Sequence, residues 1–180
     1  MVLKTYKHAP AHLFVDDQIY FFTGAVYQKR PLLETQTAKE IFVEKLFGFH
    51  EKFDWFLLDW TVLNNHYHFM SDITHSADMP RMINALHKTT AFHIMREMKI
   101  KVKPFWYQYR DHCIRNEEEF YRTAMYIVFN PVKHGLVKEM KEYSFSSYTS
   151  RFQENPEKLK EDFARYRPVE TDEFRVMDDF

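Results

Sequence analysis

The sequence predicts an α+β fold in which helices pack on one antiparallel sheet. Three features carry this: apolar runs of strand character, helical spacing of apolar residues between them, and a paired-asparagine turn that folds two of the runs into a hairpin. The first run, residues 18–28, reads Gln-Ile-Tyr-Phe-Phe-Thr-Gly-Ala-Val-Tyr-Gln and is a strand on its aromatic and β-branched content. Thr35 or Thr37 then caps a helix reaching about Lys52, with Ile41, Leu46 and Phe49 at helical spacing and Lys39, Glu44 and Lys45 largely outside. Residues 53–63, rich in Trp, Phe, Leu and Val, run into Asn64-Asn65 as a turn, and the chain returns through His66 to Met70. Pro80 opens a second helix on which Met82, Ala85, Leu86, Thr89 and Phe92 recur every three or four residues, ending near Lys99. Residues 105–114 alternate as a last strand. Asn116 followed by Glu117, Glu118 and Glu119 caps a third helix with acidic groups where the macrodipole favours them. That helix is expected to stop at Asn130-Pro131, because proline disfavours helical geometry in the residue before it. The order strand, helix, hairpin, helix, strand, helix is ferredoxin-like.

A chain of 180 residues with 18% aromatic side chains packs a core and suits one principal domain, here residues 1–151. Residues 152–180, with Pro156, Pro168 and many charges, read as an acidic C-terminal extension: an appended helix and a loose tail that either covers a polyanion groove or is simply solvated, the second being preferred. The three glycines, Gly24, Gly48 and Gly135, are too scattered for a phosphate-cradling loop, which argues against the usual nucleotide-binding enzymes. A single cysteine, Cys113, excludes an internal disulfide and reads as a small core residue. No apolar run approaches the roughly 20 residues that cross a bilayer, and no N-terminal stretch resembles a secretory leader. A cytoplasmic protein without a membrane partner is expected.

The net charge of −1 hides an asymmetry: the extension holds nine acidic and five basic residues, so the body carries 20 basic against 17 acidic. Lys99, Lys101, Lys103 and Arg110 interleave with Phe105, Trp106, Tyr107 and Tyr109. Cations beside rings suit single-stranded nucleic acid, where phosphates meet charge and bases stack; the plain alternative is a strand edge guarded by lysines.

His66-Tyr67-His68 places two imidazoles on one face of a strand and turns the tyrosine between them to the other. Both rings can then reach one ion. On the third helix Arg122, Tyr126 and Asn130 are spaced by four and share a stripe. Two imidazoles and an amide oxygen would hold a divalent ion with positions left for substrate oxygens, and a phenol beside it could attack a phosphodiester with Arg122 as the nearby cation. The residues also allow a simpler reading, with Tyr126 a buried aromatic and Asn130 a helix-end cap. His87 and His93 read as structural or solvent-facing.

The runs Asn65-His66-Tyr67-His68, Tyr126-Ile127-Val128-Phe129-Asn130-Pro131-Val132-Lys133-His134-Gly135-Leu136-Val137 and Ser146-Ser147-Tyr148 together resemble the HUH single-tyrosine transposases, in particular the REP-associated tyrosine transposase branch of the IS200-like family. The resemblance covers roughly residues 15–150. It implies a ferredoxin-like HUH endonuclease fold acting on single-stranded DNA, often beside a hairpin. His66, His68 and Asn130 match the family's metal site, for Mg2+ or Mn2+, and Tyr126 its nucleophile, which forms a 5′-phosphotyrosine as a 3′-hydroxyl leaves. It also implies a homodimer as one arrangement, with the tyrosine helix supplied in cis or in trans. The chain departs from the family at His134, where a small residue is commoner, at 99–104, which lacks glycines, and at Asn64, in place of proline. His134 could approach the metal, although a surface role is preferred. Two other functions fit the same residues: a catalytically silent hairpin-binding module, and a metal hydrolase in which water attacks and Tyr126 orients it.

Overall fold

The computed structural model describes residues 2–4 and 12–166. A short antiparallel pair, β1 (Val2–Lys4) and β2 (His12–Phe14), precedes the main sheet. The sequence gives no periodic signal for strands of three residues. Four strands follow: β3 (Gln18–Val26), β4 (Trp55–Val62), β5 (His66–Ile73) and β6 (Trp106–Cys113), antiparallel and ordered β4-β5-β3-β6. With α1 (Gln36–Phe53) between β3 and β4, and α2 (Met79–Glu97) between β5 and β6, this is the expected ferredoxin-like β-α-β-β-α-β arrangement. The first strand stops at Val26, two residues short of its expected end, because Tyr27–Lys29 turns into a single helical turn with Gln28 and Lys29 at positive φ.

Strand alternation divides the sheet into two faces. Tyr20, Phe22, Val26, Tyr67, Phe69 and Ile73 point to α1 and α2, joining Phe42, Leu46, Met82 and Leu86 in the larger core. Phe21 and Met70 point the other way, to α3 (Glu117–Lys133), meeting Ala124, Tyr126 and Ile127. Gly24 is required by the first core. Its register partner is Tyr67, and a Cβ there would stand 2.4 Å from the Tyr67 hydroxyl and 2.5 Å from its ring. His50 ties α1 to β5: with Nδ1–H donating to the Leu46 carbonyl at 2.7 Å, Nε2 accepts from the Ser71 hydroxyl at 2.7 Å. Burial lowers that imidazole from 6.5 to about 4, so it stays neutral.

The caps expected from sequence are present. Thr35 accepts from the Ala38 amide and Asn116 from the Glu119 amide, and Pro80 lies in the first turn of α2. The expected stop at Asn130-Pro131 is corrected: α3 runs on to Lys133. Proline removes only its own amide bond, and so near a helix end the loss is small; His134 donates to the Asn130 carbonyl and Gly135, at φ 67°, closes the helix. Beyond it lie α4 (Tyr148–Glu154) and α5 (Pro156–Arg165) in place of one appended helix. Residues 151 and 152, between which the sequence divides body from extension, both fall within α4. Arg151 forms a bidentate ion pair with the fully buried Asp59, to which Ser147 also donates at 2.9 Å. From α5, Leu159 and Phe163 pack on the α3 core. The acidic residues after 166 lie outside the described residues.

Candidate active site

A single row crosses the α3 face of the sheet. Register places Thr61 of β4, His68 of β5, Thr23 of β3 and Arg110 of β6 side by side, and directly opposed residues share a face. His66 lies two residues along from His68 on that face, beside Ala25, while Tyr67 is 1% exposed in the opposite core, as the His-x-His spacing required. The two imidazole centroids are 5.0 Å apart. Each Nδ1 is engaged by a neighbour: His66 Nδ1 with Asn65 Oδ1 at 2.7 Å, His68 Nδ1 with Thr23 Oγ1 at 2.8 Å. Asn65 Oδ1 can only accept, so His66 donates from Nδ1 and presents a lone pair at Nε2. For His68 the same tautomer holds when Thr23 accepts. Outer partners of this kind orient metal-ligating histidines.

The α3 helix brings Tyr126 against His68 and carries Asn130 one turn further on. The Tyr126 ring stands 5.4 Å from that of His68 at 66°, and lies at a right angle to Phe21 at 6.2 Å. Tyr126 is 2% exposed and its hydroxyl oxygen is buried. Asn130 is fully buried, and neither its amide oxygen nor its nitrogen has a hydrogen-bond partner. A buried amide left unsatisfied costs about 1–3 kcal/mol, so such a group calls for a partner such as a water, an ion or a ligand. Among the described residues no three His, Cys, Asp or Glu side chains cluster as a metal site. The donors that could hold a divalent ion here are two imidazoles on one strand face and an amide oxygen on α3, a mixed set that suits Mg2+ or Mn2+ only when water or phosphate oxygens complete the shell.

Other expected residues are placed differently from one another. Arg122 turns to Glu118, pairing at 2.7 Å on the exposed side of α3. The cation over the Tyr126 ring is instead Lys133, with Nζ 5.1 Å from the centroid. Lys133 follows Tyr126 by two helical turns, a spacing that could have revealed it. His134 is exposed, yet its ring lies 4.8 Å from that of His66, so it approaches the pair from the surface. Arg110 shares the site's face. Trp106 does not: its indole donates to Thr90 Oγ1 at 3.1 Å and stacks on His87 at 4.6 Å and 11° in the opposite core, leaving it packed where a base-stacking role was expected. Lys99, Lys101 and Lys103 are exposed in the segment joining α2 to β6. His87 and Cys113 are structural, His87 bonding the Tyr67 hydroxyl at 2.8 Å and Cys113 packing beside the larger core. The Asn65, Thr23 and Ser147–Asp59–Arg151 contacts had no sequence signal beyond the motifs that contain them. No helix among the described residues is long and apolar enough to cross a membrane.

Residues 15–123 match the family described as transposase IS200 like, a segment that includes both histidines and ends just before Tyr126. A REP-associated tyrosine transposase of Escherichia coli (strain K12) is 41% identical over 44 residues, so the alignment spans only 24% of this chain and 24% of that protein. A solved structure of a REP-associated tyrosine transposase bound to a REP hairpin superposes with a TM-score of 0.67 at 21% identity, covering 82% of this chain and 84% of the other. At that identity the likeness is one of fold.

Proposed function

Since the chain belongs to the transposase IS200-like family, we propose that it nicks and rejoins single-stranded DNA, beside a hairpin, through a covalent link to Tyr126. The observation that carries this is the meeting, within one chain, of the Tyr126 ring with His68, with the buried amide of Asn130 one helical turn beyond Tyr126 on α3. In the proposed step the Tyr126 oxygen forms a bond to phosphorus, the bond from phosphorus to the 3′ oxygen breaks, the phenol gives up its proton and the leaving 3′ oxygen takes one. The reverse step, with a second 3′-hydroxyl, rejoins DNA without ATP because the phosphodiester bond energy is conserved. His66, His68 and Asn130 would hold Mg2+ or Mn2+. When bound, that ion supplies Lewis-acid polarisation of the scissile phosphate.

The chain's own residues supply the rest. Asn65 and Thr23 fix the two imidazoles, Phe21 and His68 hold the phenol ring, and Lys133 keeps a positive charge over that ring where the phenolate would develop. Arg110 stands on the same face for a phosphate. Arg122 would reach DNA at the solvent side of α3 after leaving Glu118. With its oxygen buried, Tyr126 attacks only after surrounding side chains rearrange around the DNA.

That burial also favours a second reading, a module that binds DNA hairpins without cutting them. Incubation with manganese and labelled single-stranded hairpin oligonucleotides separates the readings on a denaturing gel. The transposase predicts a covalent adduct that is lost in Tyr126→Phe, and cleavage that is lost in His66→Ala while binding persists. Cleavage without an adduct points to a hydrolase using water. Binding without cleavage across a panel of hairpins points to the silent module.

A further inference from the structure

A groove of about 760 Å³ opens between the last turn of α2 and the segment leading to β6. Its floor is apolar, made by Phe92, Met95, Ile100 and Val102. Its rim is cationic: Lys99, Lys101 and Lys103 are exposed and no ion pair engages any of them among the described residues. Phe92 is 59% exposed, and the Arg96 guanidinium sits 5.7 Å from its ring centroid. A solvated helix end explains the lysines singly. It does not explain a large exposed ring beside them, nor Lys99 itself.

Lys99 closes α2 in a left-handed conformation, φ 54°, with its amide donating to Arg96 and the Ile100 amide to Met95. This is the helix-closing geometry that glycine adopts without strain, and a lysine there costs about 1 kcal/mol. The strain sets a positive charge at the mouth of an apolar trough. Cations along an edge and an aromatic floor complement one kind of ligand: a strand of phosphates carrying planar, unpaired bases. The groove also lies at the catalytic end of the sheet. Trp106 pairs with Val26 and His66 with Ala25, so the strands that carry them flank the same end of β3 with backbones about 10 Å apart across two strand spacings, the groove on the α2 side of the sheet and the histidines on the α3 side.

We propose that this groove is a second nucleic-acid site, in which single-stranded DNA leaving the catalytic face lays bases on Phe92 and the apolar floor while Lys99, Lys101 and Lys103 hold its phosphates. The proposal rests on the single-stranded DNA reading of the active site and replaces Trp106, which is packed, with Phe92 as the ring that bases meet.

The test is equilibrium binding in the Tyr126→Phe background, so that cleavage does not intrude, with an oligothymidine and an abasic oligomer of equal length. Phe92→Ala is expected to weaken oligothymidine binding about tenfold and leave the abasic oligomer unchanged, because stacking needs a base. The triple change of Lys99, Lys101 and Lys103 to Ala is expected to reduce the slope of log affinity against log salt by about 2 for both oligomers. Equal effects of Phe92→Ala on the two oligomers, or none on either, would overturn the proposal, and the latter would hand the groove to an acidic apolar peptide. Adduct formation with Tyr126 intact is a separate readout, so failure of the transposase reading is distinguishable from failure of the groove.

Discussion

The phenol ring of Tyr126 stands 5.4 Å from the imidazole of His68, although one belongs to α3 and the other to the interior strand β5. Phe21 stacks on His68 at 5.6 Å and lies at a right angle to Tyr126 at 6.2 Å, so one side chain packs against both. Replacing Tyr126 by Phe keeps this packing. The variant should lose adduct formation entirely yet melt within about 3 °C of the parent, since one buried hydroxyl accounts for no more than about 1 kcal/mol. A collapse of the melting temperature would mean that the hydroxyl serves the core and not the chemistry.

Asn130 offers the opposite trade. Its amide is buried without a hydrogen-bond partner, so Asn130→Leu, close in volume, should raise the melting temperature in EDTA by about 2–4 °C, the equivalent of roughly 1 kcal/mol. The same variant should lose manganese-dependent cleavage. Equal or lower stability without metal would show that the amide is satisfied in solution and is not held for a ligand.

Gly24 has no room for a side chain against Tyr67. Gly24→Ala should destabilise the fold by about 1–3 kcal/mol, read as a lower denaturant midpoint. Tyr67→Leu, combined with it, should recover part of the loss. Strict additivity of the two changes would contradict the contact.

Asp59 is fully buried with Arg151 and Ser147 on its carboxylate. Arg151→Met leaves that charge uncompensated and should cost about 3–5 kcal/mol, whereas Asp59→Asn with Arg151→Met should lose much less. Circular dichroism against urea would measure both. If the single variant proved as stable as the double, α4 would not depend on the pair.

His50 predicts a pH dependence. Its folded value, about 4, lies below the unfolded 6.5, so the unfolded chain takes up the proton first. The stability it confers is complete above 6.5 and is lost as pH falls toward 4, at about 1.4 kcal/mol per pH unit. Denaturant midpoints between pH 7 and 5 should therefore fall less steeply in His50→Gln than in the parent.

The sequence was informative wherever a local rule reported a local fact. Thr35, Pro80 and Asn116 marked helix starts, Asn64-Asn65 marked the hairpin, and the spacing of His66 and His68 gave their common face, because capping, turns and strand alternation depend on residues a few positions apart. It misjudged the end of α3, where proline at a helix terminus costs less than in its interior, and it gave no sign that the Trp106 indole bonds Thr90 and stacks on His87. It also passed over Phe92, whose helical spacing looked like core although 59% of it meets solvent.

By itself, then, the sequence determined which side chains share a face: two imidazoles on one strand, a phenol and an amide on one helix stripe. Only the tertiary structure decided that the strand face and the helix stripe oppose each other, that Thr23 and Asn65 hold the ring nitrogens, and that Lys133 rather than Arg122 lies over the phenol. The reason is physical. Periodicity is a property of neighbours along the backbone, whereas the pairing of β3 with β5, and the seating of α3 on that sheet, follow from which apolar surfaces the whole chain can bury together.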